Sequence, residues 1–145
     1  MANVLSKPYF HDEGAAYAKL ESLVWPNGPV CPHCGSAERI RKLKGAATRI
    51  GVHKCYVCRK QFRVTVNTVF EAAHVKLHQW LQAVYLLASS KKGCSSNQMA
   101  RALGVTLRTG WFVRHRLREA MAVRDDLPPI DLSATRAATT TSSIP

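Results

Sequence analysis

Two Cys-x-x-Cys pairs, Cys31/Cys34 and Cys55/Cys58, stand twenty residues apart in this 145-residue chain. Each pair suits a tight turn that presents two thiolates, and two such turns together make the tetrahedral four-sulfur shell that zinc prefers. The spacing C-x2-C-x20-C-x2-C lies at the upper end of the zinc-ribbon pattern. Gly35 follows Cys34, where such a turn needs a positive φ. Arg59 and Lys60 follow Cys58, where they offset the negative charge of a zinc tetrathiolate. Four cysteines leave no open position for water, so one structural Zn2+ is expected. A segment this small buries little apolar surface, and the metal should supply much of its folding energy. Phe62, Ile50 and Val52 are the candidates for its apolar patch. His33 and His53 are expected beside the ligands and not among them. Cys94 has no partner pair and reads as a small helix-end or buried residue.

Five cysteines would also suit a disulfide scaffold, but that needs a secreted chain. The N-terminal MANVLSKPYFHDEGAAYAKLE has no basic region followed by an apolar run, so no signal peptide is expected. No apolar stretch is long enough to span a bilayer. A cytoplasmic setting follows, in which thiols stay reduced and paired cysteines hold metal. The net charge is +12 and unevenly spread. Residues 31–70 sum to +8, with Glu38 as their one acid, and residues 71–124 sum to +7. That concentration, coinciding with the motif regions, points to a polyanion partner, nucleic acid before all others.

The expected fold class is small α+β, in four segments. Residues 9–28 are an N-terminal helix and turn: Asp12 caps a helix over 12–24 whose apolar stripe is Ala16, Leu20 and Leu23/Val24, and WPNG stops it. Residues 29–70 are the zinc ribbon, with strand-like runs at 38–43, 48–55 and 61–66. Residues 71–121 are a three-helix helix-turn-helix unit. Its first helix, over 76–93, is amphipathic through Leu77, Trp80/Leu81, Val84 and Leu87/Ala88. Ser95 and Gln98 form a capping box, Met99, Ala102 and Leu103 face inward, and Gly104 ends the second helix. Thr106 caps a basic third helix running to Met121. A short helix, a glycine turn and a longer basic helix make the DNA-reading motif, whose second helix enters the major groove. At 100° per residue, Gly110, Val113, Leu117 and Met121 share one face. Arg108, Phe112, His115, Arg116 and Glu119 lie opposite. Arg108 and Thr109 occupy the first turn, where bases are read, while Arg116 and Arg118 suit phosphates. Trp111 and Arg114 fit neither face. Arg39, Arg41, Lys42 and Lys44 are candidates for ribbon contacts with DNA. Residues 122–145, with a Pro-Pro pair and a Thr/Ser/Ala run, read as a disordered tail.

The stretches WPNGPVCPHCGS, HKCYVCRKQFRVTVNTVFEAAHVKLHQWLQAVYLL and SSNQMARALGVTLRTGWFVRHRLREAM together resemble the N-terminal part of zinc-ribbon insertion-sequence transposases, over roughly residues 9–121. The resemblance implies zinc on Cys31, Cys34, Cys55 and Cys58. It also implies that residues 95–121 help recognise the duplex DNA of the element's terminal repeats, in the cytoplasm at a bacterial nucleoid. Self-association, or association with full-length transposase, is the implied protein partnership. In that family a ribonuclease-H-like domain with an acidic two-metal site follows. Here 24 residues follow Met121, and their acids are Asp125, Asp126 and Asp131. Two-metal chemistry needs carboxylates fixed close together. The expectation is therefore a truncated DNA-binding part that is not an enzyme by itself. The alternatives are an active transposase completed by frameshifting, or a zinc-ribbon module that docks on protein.

Overall fold

A computed structural model describes residues 3–122. The tail assigned to 122–145 lies, apart from Ala122, outside the described residues. Two 3-10 turns, Val4–Ser6 and Pro8–Phe10, lead into α1, Glu13–Val24. Three short strands follow, β1 Ile40–Lys42, β2 Val52–Cys55 and β3 Gln61–Arg63, and then α2 Leu77–Ser89, α3 Ser96–Leu103 and α4 Leu107–Met121. Among the described residues the architecture is the small α+β arrangement of a three-stranded sheet and four α-helices.

The Asp12 carboxylate accepts the Ala15 amide at 2.8 Å and starts α1. Ala16, Tyr17 and Leu20 face the core, but Leu23 is 63% exposed and Val24 is also exposed. The expected stripe fails in its last turn because the chain there has run past the core. The sheet has the order β1-β2-β3 and is antiparallel throughout, with Ile40 opposite Cys55 and His53 opposite Phe62. All three strands are shorter than their alternating runs. Gly51, at φ +76°, breaks the 48–55 run. Ile50 therefore sits in a turn, 50% exposed, and not in the ribbon's apolar patch; Val52 is half-buried and Phe62 buried. Beyond β3, Val64 leaves the ribbon and enters the helical core.

That core gathers Ala16, Tyr17 and Leu20 of α1, Val64, Leu77, Trp80 and Ala83 of α2, Met99 and Leu103 of α3, and Val113 and Leu117 of α4. A second cluster under the knuckles holds Cys31, Cys55 and Phe62, and Trp25 packs against both. In α2 the buried third position is Ala83; Val84 and Leu87 are half-buried and Ala88 exposed. The helix stops at Ser89, short of Gly93. Its N-terminus has no cap of its own, since Lys76 makes no side-chain bond there. Glu13 of α1 does the work instead: its carboxylate accepts the amides of Leu77 at 3.0 Å and His78 at 3.3 Å, and meets His78 Nδ1 at 2.8 Å.

Ser95 and Gln98 make the full capping box of α3. Met99 and Leu103 are buried as expected, but Ala102 is exposed and Ala100 takes the third inward position. Gly104 ends α3 at φ +66°, and Thr106 caps α4 through the Thr109 amide. Gly110 lies where the two helices cross: a Cβ on it would sit 2.8 Å from Ala100 Cβ. Met121, assigned to the inward face, is 48% exposed because α4 extends beyond the helices it packs on.

Candidate metal centre and nucleic-acid face

The first knuckle closes through Cys31 N–H donating to Ser36 O at 2.9 Å, and the second through Cys55 N–H donating to Lys60 O at 3.0 Å. Each bond spans the same five positions. In each knuckle the residue after the second cysteine is left-handed, Gly35 at φ +71° and Arg59 at φ +60°. Glycine takes that conformation without strain, and a side chain does so at a cost of about 1 kcal/mol. Arg59→Gly is therefore expected to raise stability of the zinc-loaded protein by about 0.5–1 kcal/mol. Equilibrium urea unfolding checks this, and an unchanged or lower midpoint contradicts it.

The two turns bring the four sulfurs within 4.8 Å of one another. Cys31 Sγ lies 3.6 Å from Cys58 Sγ, and Cys34 Sγ lies 3.7 Å from Cys55 Sγ. A tetrahedron of sulfurs about 2.3 Å from zinc has edges of about 3.8 Å, whereas a disulfide needs about 2.05 Å. The residues fit one structural Zn2+. Cys31 and Cys55 are buried, Cys58 is half-buried and Cys34 is exposed. His33 is exposed. His53 is buried beneath the site, edge-on to Trp25 at 5.2 Å and stacked on Phe62 at 5.8 Å, with Nδ1 at 3.2 Å from Gly51 O. It supports the ribbon's floor.

The backbone N–H of Cys58 and, against the effect of burial, that of Val57 hold the Cys55 thiol down to about 7. The Ser36 N–H pulls on Cys34 in the same sense. Although Cys34 is exposed, desolvation by the packed sulfurs and the three neighbouring thiols outweigh it, and Cys34 is pushed up to about 11. Four thiolates this close repel one another, and a dication reverses that logic by deprotonating its ligands. Among the described residues, these cysteines are the group of three or more ligating side chains able to hold a metal ion.

On α4, Gly110, Val113 and Leu117 are buried, and Arg108, Trp111, Phe112, His115, Arg118 and Glu119 are exposed. The buried and exposed faces are those the helical period assigns, apart from Met121 and the half-buried Arg116. Thr109 and Arg116 are half-buried. The Arg116 guanidinium lies over the Phe112 ring at 5.7 Å, and that ring meets Trp80 edge-on at 6.3 Å. Arg118 lies to one side, close to Gly93: a Cβ there would be 3.2 Å from Arg118 Nη2. Sequence period left two residues without a place. Arg114 donates from Nε to Cys94 O at 2.6 Å, tying α4 to the loop before α3. Trp111 is 54% exposed and its ring lies 4.0 Å from that of His115. On the ribbon, Arg39, Arg41 and Lys44 are exposed, while Lys42 pairs with Glu21 of α1 at 2.9 Å. Among the described residues, no helix is long and apolar enough to cross a membrane.

Residues 11–61 match the transposase zinc-ribbon domain family, a zinc-ribbon domain and not a catalytic one. The chain is also 34% identical over 76 residues to a protein of Halobacterium salinarum described as belonging to the transposable element ISH50. That stretch is 52% of this chain and 25% of the relative, so the likeness spans a quarter of the relative's length. No solved structure matches the chain. A transposase-related role follows from these two likenesses.

Proposed function

We propose that the transposase zinc ribbon and the helices after it form a DNA-binding module of an insertion-sequence transposase, with α4 in the major groove of the element's terminal repeats. The observation that carries this reading is the geometry of α4. Its inner face is spent on α3 at the Gly110–Ala100 crossing, which leaves Arg108, Phe112 and His115 outward beside Arg116 and Arg118. Residues in the first turn of such a helix meet base edges, and cations further along it meet phosphates. Arg41 and Lys44 of the ribbon add phosphate contacts, and Lys42 adds less because Glu21 already holds it. The module works in the cytoplasm, at the nucleoid, and in company with further transposase chains.

We assign binding and no chemistry to the described residues. Of their acids, Asp12 caps α1, Glu13 caps α2, Glu21 pairs with Lys42, and Glu71 accepts the Asn67 amide at 3.1 Å, while Glu38 before β1 and Glu119 on α4 are exposed on separate parts of the chain. Carboxylates placed singly in this way are not the close pair that two-metal strand transfer requires.

The test is a titration of zinc-loaded protein against duplexes carrying terminal repeats and scrambled controls. Affinity is expected to fall steeply with salt. Arg116→Ala should lower the log–log salt slope by about 1, and Arg108→Ala should cost about 1–3 kcal/mol on the specific site alone. Absence of binding at low salt overturns the reading. A second reading, docking of the ribbon on a protein, draws on Tyr56 and Val57, 41% and 54% exposed at the second knuckle. Arg108→Glu with Arg116→Glu separates the two, because it abolishes DNA binding and leaves ribbon docking intact.

A further inference from the structure

We propose that a groove beside the first turn of α4 receives the 5-methyl group of a thymine that neighbours a guanine held by Arg108. The inference rests on α4 being the recognition helix and names the base step it reads. The groove is open, holds about 300 Å³, and is lined by Ala72, Ala73, His74 and Val75 from the β3–α2 connection and by Arg108, Thr109 and Phe112 of α4. Ala72 takes φ +54°, in the turn that lays this connection alongside α4.

Three features select the occupant. The wall is mostly apolar, with Ala72, Ala73 and Val75 facing the Phe112 ring, which suits a methyl group and not a phosphate. The Thr109 hydroxyl is already engaged by Thr106 at 2.9 Å, which leaves Arg108 and His74 as the polar side chains of the groove. The Phe112 ring is held from two sides, by Trp80 and by the Arg116 guanidinium, so it forms a fixed wall. In the major groove the apolar group on a base edge is the thymine methyl, and the favoured partner of an arginine fork is guanine O6 and N7. A helix whose first turn offers an arginine beside an apolar recess therefore fits adjacent guanine and thymine edges.

The experiment starts with full-length, zinc-loaded protein and selection from a random duplex library. The expected consensus holds a guanine beside a thymine. Uracil is then placed at each thymine in turn, which removes the methyl and nothing else. One position is expected to lose about 3- to 5-fold in affinity, the effect of one buried methyl-sized group. Ala73→Leu narrows the recess and should weaken that thymine-over-uracil preference while keeping the guanine; Arg108→Ala should do the reverse. A consensus in which uracil equals thymine everywhere overturns this inference and leaves DNA binding standing. So does a preference for unpaired or mismatched DNA, which would mean that a whole base enters the groove. A protein that selects no DNA overturns both.

Discussion

Zinc-stripped protein, or protein carrying Cys55→Ser, is expected to lose the ribbon altogether while keeping most of its helix. The cluster beneath the knuckles contains three buried residues, and two of them, Cys31 and Cys55, are metal ligands themselves. Without the cation only Phe62 and its half-buried neighbours remain to hold three short strands. Structural zinc supplies an apparent folding free energy of about 10–16 kcal/mol, against about 5–15 kcal/mol for the whole stability of an ordinary domain. The helices have an independent hold, because α1 to α4 share a separate core. Near-ultraviolet dichroism from Trp25 should therefore collapse on chelation while the far-ultraviolet helical signal largely persists. One zinc per chain is expected by elemental analysis. A chain that lacks zinc, or keeps its ribbon under strong chelation, contradicts the assignment. Acid should act like the chelator. Thiols of the unfolded ribbon, at about 8.5, are protonated at neutral pH, whereas the metal-bound sulfurs are thiolates, so unfolding takes up protons and stability is lost as pH falls below about 8.5.

The second large effect is expected from one added methyl group. In Gly51→Ala the new Cβ would stand 2.4 Å from Tyr17 Cδ1 and 2.9 Å from Cε1, in a residue held at φ +76°. The backbone conformation costs a non-glycine residue about 1 kcal/mol. The overlap adds about 1–3 kcal/mol, because the neighbour is a buried ring. Tyr17 has little room to retreat, being 6% exposed in the helical core with its hydroxyl accepting Arg63 Nη1–H at 3.4 Å. A loss of about 2–4 kcal/mol is expected in denaturant unfolding of the zinc-loaded protein. Repeating the substitution in a Tyr17→Ala background should remove most of the increment that comes from the overlap. A neutral Gly51→Ala would mean that the ribbon does not press on α1.

What the sequence made legible was local or carried its own spacing. The caps of α1, α3 and α4 join residues three apart, and Asp12, Ser95 and Thr106 were readable as such. The four cysteines were readable because metal geometry fixes which spacings work. The inward positions Gly110, Val113 and Leu117 followed from the helical period, which also put Met121 among them. Periodicity says which way a side chain faces and not how far the neighbouring helix extends. Ile50 fell to a similar limit, since alternation continued through a glycine that turns the backbone out of the sheet. The contacts that no pattern foretold join distant residues: Glu13 at the start of α2, Tyr17 against Gly51, Val64 in the helical core, Arg114 on Cys94 O. Each depends on which segments meet after folding, and that is written in no short window of the chain. The groove beside Arg108 belongs with them, because its two walls come from the β3–α2 connection and α4.

The reach of Glu13 across 64 residues has a bearing on how the chain matures. A ribosome delivers α1 well before α2, so the first helix waits with its apolar side uncovered until the rest emerges. A fragment trimmed to α2, α3 and α4 would likewise carry an α2 whose opening amides turn to solvent and whose Trp80 loses a neighbouring layer. The N-terminal helix is thus a foundation for the three helices that follow the ribbon, although it stands on the far side of the metal in the order of synthesis.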